Sequence, residues 1–257
     1  MESRSIGRSL VVIGVSAALL AGCGGQSDGG GATSAPASGA VSATPVSASP
    51  STPADNGVAA LKPSVIIDRA KAALKSAKSF HVKGGGNADG QRAAIDFKVS
   101  GANLAGTMTL GKGKVQLLRV GGKQYMKPDA AFWKLTGGKR ADAIIQVVGD
   151  RWVLVPAKNK ELGGMFAAAD INGLLTPEGK VTKGQAKVID GTPAIGLVEH
   201  GSEGGTLYVA TVGQPYPLRL SGPGAADGLT FSEFGATFSD VTAPATTDVL
   251  DLAKLGG

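Results

Sequence analysis

The sequence has few of the side chains that build disulfides, metal sites and nucleophilic active sites. One cysteine and two histidines occur in 257 residues. A single cysteine cannot form a CxxC pair or an internal disulfide, which excludes thioredoxin-like chemistry and a cysteine-based structural zinc site. Neither His81 nor His200 belongs to an HExxH motif, and no serine within residues 62–257 lies in GxSxG or SxxK. We therefore predict a protein that is not an enzyme and that carries no metal and no cofactor.

One glycine-rich stretch matches part of a phosphate-binding loop but lacks the features that such a loop needs. Residues 106–113 fit GxxxxGK, yet Gly113 stands where the motif has the Ser or Thr that holds magnesium. The next residues, Lys114-Val115-Gln116-Leu117, are typical of a strand, whereas a phosphate loop is followed by a helix whose N-terminus binds the anion. This stretch predicts a hairpin turn rather than a nucleotide site.

Charge and aromatic content are both modest. The chain has 26 basic and 20 acidic residues, a formal net charge of +6, and only 5% aromatic residues. The basic residues are dispersed rather than clustered on one stretch with interleaved aromatics, so nucleic acid is not an expected partner. The pattern is typical of a solvated surface with mild attraction to anionic lipids or polymers.

The N-terminus carries a secretory signal. Arg4 and Arg8 precede an apolar stretch at residues 10–20, which is too short to span a bilayer. Leu20-Ala21-Gly22-Cys23 follows and resembles the lipobox of bacterial lipoproteins at every position. The resemblance implies cleavage before Cys23 and alkylation of its thiol by a diacylglyceryl group bearing chains such as palmitate. We therefore expect a signal peptide at residues 1–22 and a lipid-anchored protein on the extracytoplasmic face of the cell membrane. The alternative is a chance cysteine in an ordinary leader.

Residues 23–61 have the composition of a tether. They are mostly Gly, Ala, Ser, Thr and Pro, and Asp28 and Asp55 are the only charged residues among them. Such a segment has too little apolar surface to offset the entropy lost on ordering. A flexible chain of this length would reach roughly 35 Å. We place the folded domain at residues 62–257.

Two kinds of periodicity follow in the domain. Pro63 and apolar residues at helical spacing predict an opening helix that ends near Ser79 and Phe80. Alternating runs then predict strands, and they are separated by glycine-rich turns such as Gly121-Gly122. The runs lie at residues 95–99, 104–110, 115–120, 123–126, 151–155, 186–189, 194–199, 206–211, 216–220 and 229–234. This order predicts an α+β fold with a curled antiparallel sheet and helices covering its concave side.

Two apolar helices are expected between the strands, at residues 141–148 and within residues 160–175. The second contains Gly163-Gly164. Glycine lowers helix stability by about 1 kcal/mol relative to alanine, which favours local opening. The pair therefore indicates either a gate beside a cavity or a site of close packing on the sheet.

Several short phrases resemble the mycobacterial LppX/LprG family of lipoproteins, whose fold is shared with the carrier LolA. Besides the lipobox and the tether, the matching segments are residues 75–82 (KSAKSFHV), 122–126 (GKQYM) before Phe132-Trp133, 204–209 (GGTLYV) and 216–220 (YPLRL). The resemblance covers nearly all of residues 62–255. It implies an actinobacterial lipoprotein with a U-shaped half-barrel, an apolar cavity and binding or transfer of multi-acylated lipids.

The candidate cavity residues come from the alternation pattern rather than from a family motif. Aliphatic residues are many and aromatics few, and a smooth apolar wall suits acyl chains. The candidates are Met108, Leu110, Leu117, Trp152, Leu154, Phe166, Leu218 and Phe231. The expected partners are a lipid or glycolipid ligand, the membrane through lipidated Cys23, and an envelope transporter.

Two alternatives remain open at the level of the sequence. The first is a surface-anchored module with a packed core that meets cell-wall polymer or protein. The second is an envelope hydrolase in which His200, Glu199 or Glu203 would converge with a nucleophile in a cleft.

Overall fold

The computed structural model describes residues 54–88, 90–156, 159, 162, 165–166, 170–201, 204–222, 224 and 227–251. These residues belong to one compact unit that spans Pro50–Gly257. The expected signal peptide, Cys23, most of the tether, the Gly163-Gly164 pair and Glu203 lie outside the described residues. None of the described helices is both long and apolar enough to cross a membrane.

The described residues include four α-helices, twelve strands and three short 3₁₀ helices (Val58–Ala60, Gly138–Arg140 and Thr246–Asp248). The helices are α1 (Pro63–Ala77), α2 (Ala130–Thr136), α3 (Ala141–Val148) and α4 (Ile171–Leu174). The strands are β1 (Ser79–Ala88), β2 (Gln91–Ser100), β3 (Asn103–Leu110), β4 (Gly113–Val120), β5 (Lys123–Pro128), β6 (Trp152–Val155), β7 (Lys180–Ile189), β8 (Thr192–His200), β9 (Thr206–Ala210), β10 (Pro217–Ser221), β11 (Gly228–Ser232) and β12 (Val249–Asp251).

All twelve strands form a single open sheet. Its order is β12-β6-β5-β4-β3-β2-β1-β11-β10-β9-β8-β7, with β12 and β7 at the two edges. Every pair is antiparallel except β6 with β12. Strand β1 joins two meanders, because it pairs with β2 on one side and β11 on the other. The predicted α+β class with a curled, mostly antiparallel, unclosed sheet is confirmed.

Tight glycine turns set the register of the first meander. The residues that resembled a phosphate loop form the hairpin between β3 and β4, where Gly111 has φ of 57°. The next turn is Gly121-Gly122, with φ values of 58° and 76°. Two consecutive positive φ values are typical of the primed turns whose twist matches antiparallel strands. Both predicted hairpins are confirmed.

The helices pack on one face of the sheet, which we call the inner face. Buried residues of α1 (Ile66, Leu74), α2 (Phe132, Trp133) and α3 (Val148) share one apolar cluster with residues from both meanders, such as Val153 of β6 and Leu197 of β8. A cluster that joins strands so far apart in the sheet order requires the sheet to curl around its helices. The opposite face is called the outer face.

Strand β1 passes through the three consecutive glycines Gly84-Gly85-Gly86. The glycines are required by close backbone approach. A Cβ at Gly84 would overlap the carbonyl oxygen of Gly228 on β11, and a Cβ at Gly85 would overlap that of Ala93 on β2. Glycine inside a strand often marks such an approach.

Two further elements differ from the sequence-based expectation. The fold begins before residue 62: Asp55 bridges Val212, the Asn56 Nδ2 donates to the Ala210 carbonyl at 3.0 Å, and Val58 is buried. The last residues assigned to the tether therefore belong to the domain. Helix α2 was not expected, and Asp129 caps it by accepting a hydrogen bond from the Phe132 N–H at 2.6 Å.

Candidate functional site

Four of the eight candidate cavity residues belong to the main core on the inner face or pack against it. Leu117, Phe166 and Phe231 are buried in the main core, and Met108 packs against it half-buried. Leu110 is half-buried at the end of β3, opposite Gly113. Leu218 is half-buried at a bulge of β10, where the register with β9 shifts between Pro217 and Arg219.

Trp152 and Leu154 lie apart from the main core that holds most of the candidates. They alternate with Val153 and Val155, and those two valines belong to the main core. Trp152 and Leu154 instead pack on the outer face against Ala105, Leu118 and Tyr125. The run Trp-Val-Leu-Val is apolar on both sides because both faces of β6 are covered, so alternation could not assign its faces.

An apolar cavity lies between α1, residues 174–177 and the inner face of β7–β10. Its wall includes Ile67, Leu175, Val181, Leu197, Leu207 and Leu220. Its volume is about 40 Å³. A volume of roughly 10–15 Å³ holds one water molecule, so the cavity is much too small for an acyl chain. The wall residues come from α1, from residues 174–177 and from four neighbouring strands, and they include none of the eight candidate cavity residues.

Residues 174–179, which we call the roof segment, cover this cavity and are held by polar side chains. One carboxylate oxygen of Glu199 accepts hydrogen bonds from the backbone N–H groups of Glu178 (2.6 Å) and Gly179 (2.8 Å). The Nζ of Lys71 on α1 donates to the Thr176 hydroxyl at 2.9 Å. A carboxylate that accepts two backbone donors orders a loop, and the buried side chain of Leu175 anchors the same segment in the main core. Glu199 therefore fixes the roof segment over an apolar wall.

A buried polar atom lies elsewhere on the inner face. Trp133 of α2 is 9% exposed, and its indole Nε1–H has no hydrogen-bond acceptor among the described residues. Its neighbour Phe132 contacts it edge to face, with 6.2 Å between ring centroids. Leaving a buried donor unpaired costs about 1–3 kcal/mol. The indole N–H is thus a donor available within an apolar layer.

The outer face has its own cover, which we call the strap (residues 233–248). Val241 and Pro244 of the strap lie over the outer-face cluster, and a cavity of about 280 Å³ remains between the strap and β3–β4. Lys98 Nζ donates to Asp240 at 2.8 Å and lies 5.7 Å from the Phe238 ring centroid. This hydrogen bond raises the pKa of Lys98 and lowers the pKa of Asp240.

The two histidines are engaged in separate places. His81 Nε2 lies 2.6 Å from an Asp96 carboxylate oxygen, and its Nδ1 lies 3.5 Å from Glu233. His200 Nε2 lies 2.7 Å from the Thr182 hydroxyl. Glu199 and His200 are consecutive on β8 and therefore point to opposite faces, so they do not converge on one cleft. Within the described part of the chain, no group of three or more His, Cys, Asp or Glu side chains is placed to hold a metal ion.

Sequence reasoning missed the polar parts of the site. Trp133 occurs beside one of the segments that resemble the LppX/LprG family, but none of its sequence neighbours indicates an unpaired donor. Glu199 was considered only as part of a catalytic cleft. A charged residue following the buried run Ala194–Leu197 was the available signal for a carboxylate at the mouth of a cavity.

The comparisons with known proteins were made at the level of sequence and of structure. No family model and no curated protein matches the sequence. The fold is similar to LprF from Mycobacterium bovis, with 15% identity, 71% of this chain and 97% of that chain covered, and a TM-score of 0.48. It is also similar to the Mycobacterium tuberculosis lipoprotein LppX, with 15% identity, 66% and 92% coverage, and a TM-score of 0.42. A third similar structure is an uncharacterized conserved protein from Thermus thermophilus, with 12% identity, 73% and 98% coverage, and a TM-score of 0.39.

Proposed function

We propose that this protein is a membrane-anchored, extracytoplasmic lipoprotein without enzymatic activity that binds an acylated lipid or glycolipid between its helices and the inner face of its sheet. It would carry or present that lipid in the cell envelope. The observation that carries the proposal is the small apolar cavity beneath the roof segment, whose wall shares Ile67, Leu197 and Leu207 with the main core.

The small volume of the cavity implies that binding requires movement. An acyl chain needs apolar volume and no hydrogen bonds, and the leucines of β8–β10 supply such a wall. The volume of about 40 Å³ must grow before a chain can enter. The roof segment is the element suited to move, because side-chain hydrogen bonds from Glu199 and Lys71 hold it. Breaking such exposed bonds costs far less than separating the core helices from the sheet.

The unpaired Trp133 N–H supports a ligand that also has acceptor atoms. An acylated lipid carries ester or amide carbonyl groups at the head of its chains. One such carbonyl placed near α2 would accept the hydrogen bond that the described residues leave unmade. The candidate residues Met108, Leu117 and Phe231 would then line the space around the acyl chains.

The anchor and the tether suit carriage over short distances. Lipidated Cys23 would hold the protein at the membrane, since two or more acyl chains bind stably where one does not. The tether would let the domain reach tens of ångströms without diffusing away. An envelope transporter on the membrane would be a partner that supplies or accepts the lipid.

Native mass spectrometry with lipid extraction tests this proposal. The Cys23→Ser protein, purified without detergent from an actinobacterial host, is expected to show a reproducible mass excess from an acylated lipid. Leu220→Trp, which fills the cavity, should abolish that excess. Val188→Trp is the matched control, because Val188 is 67% exposed on β7 and lies outside the cavity wall.

Two results would contradict the proposal. One is a clean protein mass that persists when envelope lipids are added to the folded protein. The other is a bound lipid that Leu220→Trp and Val188→Trp retain equally.

A further inference from the structure

A second concave site lies on the outer face, on the side of the sheet away from the helices. It is a trough of about 500 Å³ that crosses five strands in the order β3, β2, β1, β11 and β10. Drug-sized and sugar-sized ligands occupy sites of roughly 300–1,000 Å³. The trough is therefore large enough for several sugar units, and it shares no residue with the cavity beneath the roof segment.

The floor of the trough consists of small residues in register. Ala94 of β2 pairs with Gly85 of β1, and Gly85 pairs with Gly228 of β11. The row continues to Thr109 on β3 and Ser221 on β10. Because these positions carry little or no side chain, a ligand can lie across the strands close to the backbone.

Longer polar residues form the next row and stand along one side of the floor. Pairing places Asp96, Lys83, Thr230 and Arg219 side by side on β2, β1, β11 and β10. Lys83 and Arg219 flank the same strand, so their backbones are roughly 10 Å apart at two strand spacings. Arg92 stands on the other side, and its Nη1 lies 3.2 Å from Asp227.

The charge that this trough offers to a ligand is positive. Among the described residues, the two carboxylates near the trough are already engaged, Asp96 by His81 at 2.6 Å and Asp227 by Arg92 at 3.2 Å. Lys83 has no ion-pair partner within the described residues, and Arg219 donates from Nε only to the Ser221 hydroxyl, at 3.3 Å. An anion in the trough would meet these two cations without first displacing an internal carboxylate.

The rest of the lining selects for a hydroxyl-rich ligand. Thr107, Thr109 and Thr230 present hydroxyl groups that can donate or accept. The described lining residues include no aromatic ring on which a nucleic acid base could stack, and the largest apolar side chain among them is Ile95. Protein interfaces usually centre on aromatic or large aliphatic anchors, which this lining lacks.

We propose that the trough binds a negatively charged polysaccharide chain that lies across the strands. Lys83 and Arg219 would pair with its carboxylate or phosphate groups, and the threonines would hydrogen-bond its hydroxyls. The small floor residues would let the sugar rings approach the sheet. This site is separate from the lipid cavity and does not depend on it.

Binding of defined polymers to the Cys23→Ser chain tests the proposal by calorimetry. The probes are oligogalacturonate with its methyl ester, and phosphorylated dextran with unmodified dextran. At least one anionic probe should bind, and its neutral counterpart should not. The Lys83→Gln/Arg219→Gln variant should weaken that binding about tenfold or more, because two charge-assisted contacts are lost.

Two further variants separate a built site from general charge attraction. Lys134→Gln/Lys139→Gln removes the same charge from exposed positions outside the trough and should leave the affinity within about twofold. Ala94→Phe changes no charge but fills the floor, and it should abolish binding while the circular dichroism spectrum stays native.

The proposal is overturned if neither anionic probe binds, or if both charge-removing variants lose affinity equally. It is also overturned if the neutral probes bind as tightly as the anionic ones. Vesicles of phosphatidylglycerol and phosphatidylcholine are the last arm. Binding to vesicles that Lys83→Gln/Arg219→Gln abolishes, without polysaccharide binding, would assign the trough to lipid headgroups instead.

Discussion

The Nζ of Lys98 on β2 donates a hydrogen bond to the Asp240 carboxylate at 2.8 Å and ties the strap to the outer face of the sheet. Both partners are partly exposed, so the pair should contribute only about 0.2–1 kcal/mol to global stability. Its effect should be local, because the strap has few buried residues of its own. Asp240→Asn should speed amide exchange across residues 238–245 while the melting temperature changes little. Asp68→Asn, which changes an exposed carboxylate on α1, is the control.

The Lys98–Asp240 pair should hold the strap only within a limited pH range. The hydrogen bond lowers the pKa of Asp240 below its ordinary 3.8 and raises the pKa of Lys98 above its ordinary 10.5. The contribution is fully present between these two ordinary values. It is lost as the pH falls through the lowered pKa of Asp240, or as it rises through the raised pKa of Lys98. Exchange of the strap amides that is equal in wild type and Asp240→Asn at neutral pH would contradict this role.

Gly106 should tolerate no side chain, although it lies in a regular strand. A Cβ there would overlap the Asp96 carbonyl oxygen and would lie 2.7 Å from Phe97 Cδ1. Since Phe97 is fully buried, neither neighbour can move freely. Gly106→Ala should destabilise the protein by about 1–3 kcal/mol, which lowers the melting temperature by several degrees.

The control for Gly106 is Gly173→Ala in α4. An added Cβ at Gly173 meets nothing within 4 Å, and alanine is the better helix former. The melting temperature of this variant should stay unchanged or rise slightly. Equal destabilisation by the two substitutions would refute the explanation from close backbone approach.

Glu199 should control access to the cavity beneath the roof segment. Glu199→Ala removes the carboxylate oxygen that accepts from both the Glu178 and Gly179 N–H groups, so the segment should open more often. Release of a preloaded fluorescent fatty acid should become several-fold faster, because opening then costs roughly 1–2 kcal/mol less. Stopped-flow displacement measures this rate.

Glu178→Ala is the matched control for this experiment. Only the backbone N–H of Glu178 takes part in the contact, so its side chain can be removed without breaking it. Release from Glu178→Ala should match the wild type. If Glu199→Ala releases the probe no faster than Glu178→Ala, the roof segment is not the gate.

Trp133→Phe should lower the affinity for the ligand but leave the stability of the ligand-free protein almost unchanged. The indole N–H is buried without an acceptor among the described residues, so removing it relieves an unpaired donor. The lost ring volume offsets this gain, and the melting temperature of the ligand-free protein should change little. If the N–H donates to a ligand carbonyl, affinity should fall about fivefold or more.

The control for Trp133 is Trp152→Phe on the outer face. This residue belongs to the separate cluster around Leu118 and should leave lipid affinity unchanged. A hydrocarbon without any carbonyl should bind Trp133→Phe and wild type equally. Loss of affinity for that hydrocarbon would show that the tryptophan contributes by packing rather than by donating.

Local patterns were enough to predict most elements of the fold. The helical spacing after Pro63 predicted α1, and alternation predicted β2–β5, because each has one face on the core. Gly111 and the pair Gly121-Gly122 marked two of the hairpins, since glycine adopts positive φ values more readily than other residues. These features depend on neighbours in sequence, which is why the sequence alone reveals them.

Features that depend on distant contacts could not be predicted in this way. Position 84 requires glycine because β11, which is far along the chain, passes close to its backbone. Trp152 could not be assigned to a face because both sides of β6 are covered. The volume of the cavity depends on how α1 seats on β7–β10, and no local pattern records that distance.

The lipid anchor is the last prediction, and it rests on Cys23 within Leu20-Ala21-Gly22-Cys23. Cys23→Ser removes the thiol that would receive the diacylglyceryl group, so labelled palmitate should no longer be incorporated. The protein should then leave the membrane fraction, because buried acyl chains supply about 0.8 kcal/mol per CH₂. Gel autoradiography and fractionation of cell extracts measure both effects, with Ser27→Ala as a control that keeps the lipobox. Label that persists in Cys23→Ser would place acylation elsewhere. Unlabelled wild-type protein in the soluble fraction would instead mean that Cys23 belongs to an ordinary leader.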